Sequence, residues 1–169
     1  MEPAGWIWVT VPFAASAMKP LLLLPSERWI CRARLPSLAA SMIRKAISTD
    51  TAPPALGPYS QAIVANGFVF CSGTVGVNPA TGSPGDGVEA QTELALRNLD
   101  AILTAAGASL STLVKTTIFY ANVDDFAAIN VIYSQFMPDP PPARSAPANV
   151  ALPRGLLISI EAIAVVPAR

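Results

Sequence analysis

In a chain with only 13% charged residues, Arg144 stands out within Pro142-Ala143-Arg144-Ser145, set between a proline-broken helix pattern and a terminal apolar run. A guanidinium presents a planar fork of donors that meets a carboxylate in two parallel hydrogen bonds. That chemistry points to a small carboxylic acid as ligand, with a structural ion pair or a solvated loop arginine as the competing reading. Tyr59, in Gly57-Pro58-Tyr59-Ser60-Gln61-Ala62, sits at the entrance to a predicted strand. There its ring points along a sheet edge toward a ligand, or serves as an interface tyrosine in a turn. Ser72-Gly73 ends the next predicted strand, where glycine lets backbone and ligand approach closely. Glu161 alternates with isoleucines in Ile158-Ser159-Ile160-Glu161-Ala162-Ile163, so its carboxylate is paired, functional or solvated.

What the chain lacks narrows the chemistry. There is no histidine, so the commonest metal ligand and the usual neutral-pH base are missing, and proton transfer falls to carboxylate, tyrosine, thiol or water. Cys31 and Cys71 are far apart with no paired metal spacing, which fits a reducing compartment, and Cys71 in Phe68-Val69-Phe70-Cys71 reads as a small buried hydrophobe. A net charge of zero and a pI near 6.2 offer no basic face to grip a nucleic acid. No apolar run approaches the roughly 18 residues of a membrane-spanning helix.

The elements that must position these residues are legible from residue 43 onward. Residues 62–65, the turn Asn66-Gly67 and residues 68–72 predict two strands joined by a type I′ turn. Pro79-Ala80-Thr81-Gly82 closes the next loop. Leu96, Leu99, Leu103 and Ala106 predict a helix over 88–106, stopped by Gly107. Residues 114–121 predict a strand with Val114, Thr116, Ile118 and Tyr120 on one face. A second helix over 124–137 carries Phe126, Ile129, Tyr133 and Phe136 or Met137 as its buried stripe and ends at Pro138. A last strand spans 156–166. The order predicts an α+β domain with both helices on one face of the sheet.

Composition changes near Met42, dividing the chain into an extension, 1–41, and a domain, 42–169. The extension holds all three tryptophans and an excess of basic over acidic residues. Arginines alternating with Leu, Ile and Ala, with Ser37, Ser41 and Ser48, resemble a mitochondrial targeting sequence. A secretory signal, a disordered extension and a true start at Met42 are the alternatives, and the expected location is mitochondrial or cytoplasmic.

As a set, Ile47-Ser48-Thr49, Ala52-Pro53, Gly57-Pro58-Tyr59-Ser60-Gln61-Ala62, Ser72-Gly73, Val114-Lys115-Thr116-Thr117, Asp125-Phe126, Asn130, Tyr133, Pro142-Ala143-Arg144-Ser145, Leu152-Pro153 and Ile160-Glu161-Ala162-Ile163-Ala164 resemble the RidA/YjgF family of reactive-intermediate deaminases. The resemblance spans about 43–166. It implies a chorismate-mutase-like α+β fold, a mixed sheet assembled as a homotrimer with ligand clefts between subunits. It also implies hydrolysis of 2-iminopropanoate and 2-iminobutanoate to 2-keto acids and ammonia, without cofactor or metal. Carried onto this chain, Arg144 clamps the carboxylate, Tyr59, Ser72 and Asn130 line the cleft, and the Ala146 backbone N–H holds the imine or keto end.

The chain departs from that pattern at several points. Family members read Ile-Glu-Ile-Glu-Ala in the last strand, and the first glutamate is credited with orienting the attacking water. Here that position is Ser159, while Glu161 matches the second glutamate and shares its face. Glu161 is therefore the remaining carboxylate candidate for catalysis. Ser145-Ala146-Pro147-Ala148-Asn149 replaces a regular strand, so this segment is expected at an edge or in a bulge. Thr74 stands where glutamine is common. The alternatives to the deaminase are a small-carboxylate-binding protein of the same fold and an RNA-cleaving translation inhibitor.

Overall fold

The structure, a computed structural model, describes residues 44–167. The extension, and Cys31 within it, lies outside the described residues. Six strands, β1 (Lys45–Ile47), β2 (Ala62–Ala65), β3 (Phe68–Val75), β4 (Leu113–Tyr120), β5 (Ala143–Ser145) and β6 (Ile158–Val165), form one sheet in the order β1-β2-β3-β6-β4-β5. All neighbours run antiparallel except β4 and β5, which are parallel. Two helices, α1 (Gly87–Ala105) and α2 (Phe126–Phe136), cover one face. This is the expected α+β arrangement.

The helices form where the apolar spacing places them. Leu96, Leu99 and Leu103 of α1 are fully buried and meet Val69, Ile160 and Ala162 of the sheet in one core. The other sheet face carries Phe68, Phe70, Glu161 and Val165, all exposed. Between β2 and β3, Asn66 and Gly67 both have positive φ, 50° and 79°, as the predicted turn requires.

Two register shifts and one helix terminus account for three differences from the expected pattern. β3 does not end at Ser72-Gly73 but continues to Val75, and its pairing with β6 jumps between Cys71 and Thr74. Val114 does not share a face with Thr116, Ile118 and Tyr120: a second shift between Leu113 and Lys115 turns it outward, and it is exposed. Phe126 is not part of the buried stripe of α2. It lies at the first helical residue, where the helix face turns to solvent, and leaves Ile129 and Tyr133 as the buried pair.

Candidate functional site in two halves

The first half is a cavity of about 460 Å³ beside the bulge. Cys71 pairs with Ala162 and Thr74 with Ile160, so Ser72 and Gly73 together face the single residue Glu161 of β6. Such two-against-one insertions re-aim side chains next to functional sites. Here the bulge sends Ser72 and Gly73 to the cavity wall, joined by Tyr59, Thr74 and Ser159. Ser159 is 8% exposed, and its Oγ lies only 2.6 Å from where a Cβ on Gly73 would stand, so a side chain at 73 would have to displace that hydroxyl.

The walls of this cavity are fastened by two buried amides. Gln61 Oε1 accepts from the Thr49 N–H at 2.7 Å, and its Nε2 donates to the carbonyls of Thr49, Ala52 and Pro53. That pins the loop carrying Pro53 to Tyr59. Asn98 of α1 donates to the carbonyls of Val75 and Val77 at 3.0 and 2.8 Å, fixing the far end of β3. Next to it, a Cβ on Gly76 would fall 2.2 Å from the Gln91 carbonyl oxygen, so the helix backbone passes too close for any side chain. The hydroxyls inside the cavity are directed too: Ser72 Oγ donates to the Ser60 carbonyl at 2.7 Å, and the Tyr59 hydroxyl accepts from the Leu56 N–H at 3.2 Å.

The second half lies on the opposite edge of the sheet. Arg144, in the middle of the three-residue β5, pairs in register with Thr116 of β4. Its Nη1 donates to Asn130 Oδ1 at 2.6 Å. The guanidinium carbon stands 5.1 Å from the Tyr133 ring centre and 5.8 Å from that of Phe126. Residues 126, 130 and 133 follow one face of α2 at spacings of four and three, so one helical stripe grips the cation through two π-faces and an amide. Tyr133 is anchored from below by a 2.7 Å hydrogen bond between its hydroxyl and Thr116. Burial pushes the Tyr133 phenol above its usual pKa of 10, against the opposing pull of Thr116 and the Arg144 charge.

Among the described residues, the one ion pair is Arg97 with Glu93, so Arg144 is no structural salt bridge within them. Among the described residues the guanidinium is held by neutral groups only, with its anion-binding capacity unspent. Ala146, two residues on, is half-buried against the core. Beyond it the chain leaves the ladder: the Tyr120 N–H donates to the Pro147 carbonyl, and Asn149 adopts φ 58°. The expected irregular edge is found there, since Pro147 cannot donate and Asn tolerates that conformation.

Glu161 belongs to neither half. It pairs with Thr117 and lines a separate depression on the open sheet face with Lys115, Thr117 and Ser72. Ser72 alone of the predicted residues lines both hollows. Thus one chain brings Tyr59 and Ser72 together, and Arg144 and Asn130 together, but keeps the two pairs apart with β6 and β4 between them. Sequence reading missed the aromatic clamp on Arg144, although the 126/130/133 spacing was its signal. It also missed Gln61 as the fastener of the cavity loop, for which a glutamine in an apolar run, next to a strand start, was the clue. Cys71 is buried as expected, and its desolvated thiol is pushed up to about 12.

An open-faced mixed sheet with helices on one side, a bulged strand facing a cavity and an exposed arginine on its edge strand define the class as a small α+β protein whose sheet carries both a cavity and a solvent-facing cation. The family model described as Endoribonuclease L-PSP matches residues 49–166. The chain belongs to this family, the RidA/YjgF proteins. It is 50% identical over 130 residues to Reactive Intermediate Deaminase A, chloroplastic, of Arabidopsis thaliana, covering 76% of this chain and 70% of that one. It is 47% identical over 128 residues to the 2-iminobutanoate/2-iminopropanoate deaminase of Mus musculus, covering 75% and 94%. The crystal structure of E. coli TdcF with bound serine matches with a TM-score of 0.68 at 42% identity, covering 72% of this chain and 98% of that one.

Proposed function

We propose that this chain is an imine deaminase that hydrolyses 2-iminopropanoate and 2-iminobutanoate to 2-keto acids and ammonia, working as a homotrimer. The observation that carries this reading is the Arg144 guanidinium, held by Asn130, Tyr133 and Phe126 with no carboxylate against it among the described residues. The deaminases of Arabidopsis and mouse, by their names, support the reaction, and the serine-bound relative supports a small amino or imino acid as ligand. The trimer supplies what one chain lacks. Arg144 and Asn130 of one copy face the Tyr59 and Ser72 cavity of the next, and the substrate lies in the shared cleft.

In that cleft, Arg144 takes the substrate carboxylate in two parallel bonds and the Ala146 N–H meets the imine end. Water adds its oxygen to the imine carbon and one of its protons passes to nitrogen, giving the carbinolamine; the remaining hydroxyl proton then passes to the same nitrogen as the C–N bond breaks, so ammonia leaves and the keto group forms. An imine hydrolyses in water unaided, so the protein has only to orient the acid and stabilise the carbinolamine-like transition state. Tyr59 and Glu161 are the groups proposed to handle protons. Glu161 acts from the depression that shares Ser72 with the cavity.

A second reading is favoured by one observation, the presence of Ser159 at the cavity wall where family members carry the water-orienting glutamate. A protein that binds small 2-keto acids without hydrolysing imines would follow. Accelerated ammonia release from enzymatically generated 2-iminobutanoate separates the two, because the binding protein leaves the spontaneous rate unchanged. The ribonuclease named in the family's description has less behind it here, since a chain of zero net charge has no basic stripe for RNA. No helix among the described residues is long and apolar enough to cross a membrane. We place the protein in the mitochondrion or the cytoplasm on the arginine and serine pattern upstream of the domain.

A further inference from the structure

Resting on the deaminase reading above, we infer that Ser159 is a specificity-determining residue: it keeps the cavity beside the bulge open for imino and keto acids with apolar side chains of four or more carbons. The cavity, about 460 Å³, is walled chiefly by Leu56, Val75, Val77, Ile102, Leu152 and Leu156. The methyl or ethyl group of a three- or four-carbon acid leaves most of that apolar wall wet. An isobutyl or benzyl group covers it, and each methylene placed in an apolar pocket is worth roughly 10- to 200-fold in discrimination.

Ser159 sets this space because of where its hydroxyl lies. Its Oγ occupies the room that a side chain on Gly73 would need, 2.6 Å from the position of that Cβ, so the residue folds against β3 and takes little of the cavity. A longer side chain at 159 cannot fit in that notch and extends into the cavity instead. The walls do not give way, since Gln61 fastens one side and Asn98 the other. Arg154, exposed and with φ 60°, is the one charged residue lining the cavity among the described residues. It makes an acidic tail the alternative occupant, set against the apolar walls that fill the interior.

The test is binding of stable 2-keto acids to the full chain by titration calorimetry, with pyruvate, 4-methyl-2-oxopentanoate and 2-oxoglutarate as probes. We expect 4-methyl-2-oxopentanoate to bind at least about tenfold more tightly than pyruvate. Ser159→Leu should erase that preference and Ser159→Ala should keep it. Ser159→Val replaces the leucine variant if the latter lowers Tm. The inference is overturned if pyruvate binds as tightly as the longer acid, if 2-oxoglutarate binds best, or if filling position 159 leaves the ratio unchanged. Imine hydrolysis measured on the same samples reports separately on the deaminase reading, because the binding ratio decides the role of Ser159 whether or not any imine is consumed faster.

Discussion

The bulged half of the sheet and the arginine edge solve opposite problems. Around β3 the protein holds open a largely apolar cavity: buried amides tie the backbone, and a few hydroxyls stand among the apolar walls. Along β5 and α2 it holds a charge in place, with two rings and an amide around one guanidinium. Space and charge are thus separated in each chain. In the proposed homotrimer each half is completed by a neighbouring copy, which is why neither reads as a finished site alone.

The sharpest way to break this division is to remove the charge. Arg144→Ala should lower kcat/KM for 2-iminobutanoate by about 10²- to 10⁴-fold, the loss of two charge-assisted bonds worth roughly 1.5–3 kcal/mol each, with Tm little changed. Arg144→Lys should recover little, because an ammonium lacks the fork. If Arg144→Ala retains full activity, the edge is not the anion site. On the cavity side the largest effect should fall on stability: Gly76→Ala drives a methyl into the Gln91 backbone and should cost about 1–3 kcal/mol or more in denaturant unfolding.

Gln61→Ala should cost about 1–3 kcal/mol by leaving the loop amides unpaired, and should raise KM as the Tyr59 loop loosens. An unchanged KM would mean that the loop needs no fastening. Smaller still, Tyr133→Phe keeps the ring over Arg144 and removes only the Thr116 bond, so about 0.5–1.5 kcal/mol of stability is expected with kcat intact. At neutral pH the smallest effect belongs to Cys71→Ala when read by activity. Its burial shows instead in alkali. The thiol rises from 9.0 unfolded to about 12 folded, so the neutral form favours folding below pH 9 and that contribution is lost between about 9 and 12. The variant should flatten the decline of Tm across that window.

Helix and strand positions were legible in the sequence wherever one side of an element is dry. The leucine spacing located α1 to within one residue at each end, and Asn66-Gly67 announced its turn. The bulges were not legible, because a register shift depends on which strand lies alongside, and nothing within Cys71-Ser72-Gly73-Thr74 states that partner. β1 was equally silent, since a three-residue strand with one buried side chain shows no alternation to read. For the candidate site, Arg144, Tyr59 and Ser72 were singled out by chemistry and resemblance. Their separation across the sheet was not, because strand order is a property of the folded chain and spacing along it carries no such record.

The brevity of β5 limits how this protein can meet its own kind. With Pro142 before it and Pro147 soon after, and only three residues long, this border offers almost no unsatisfied ladder to a stranger. Sheet growth from molecule to molecule, the route to fibres, is blocked there. Association at this border must proceed through side chains, which favours assemblies of fixed size over open-ended ones.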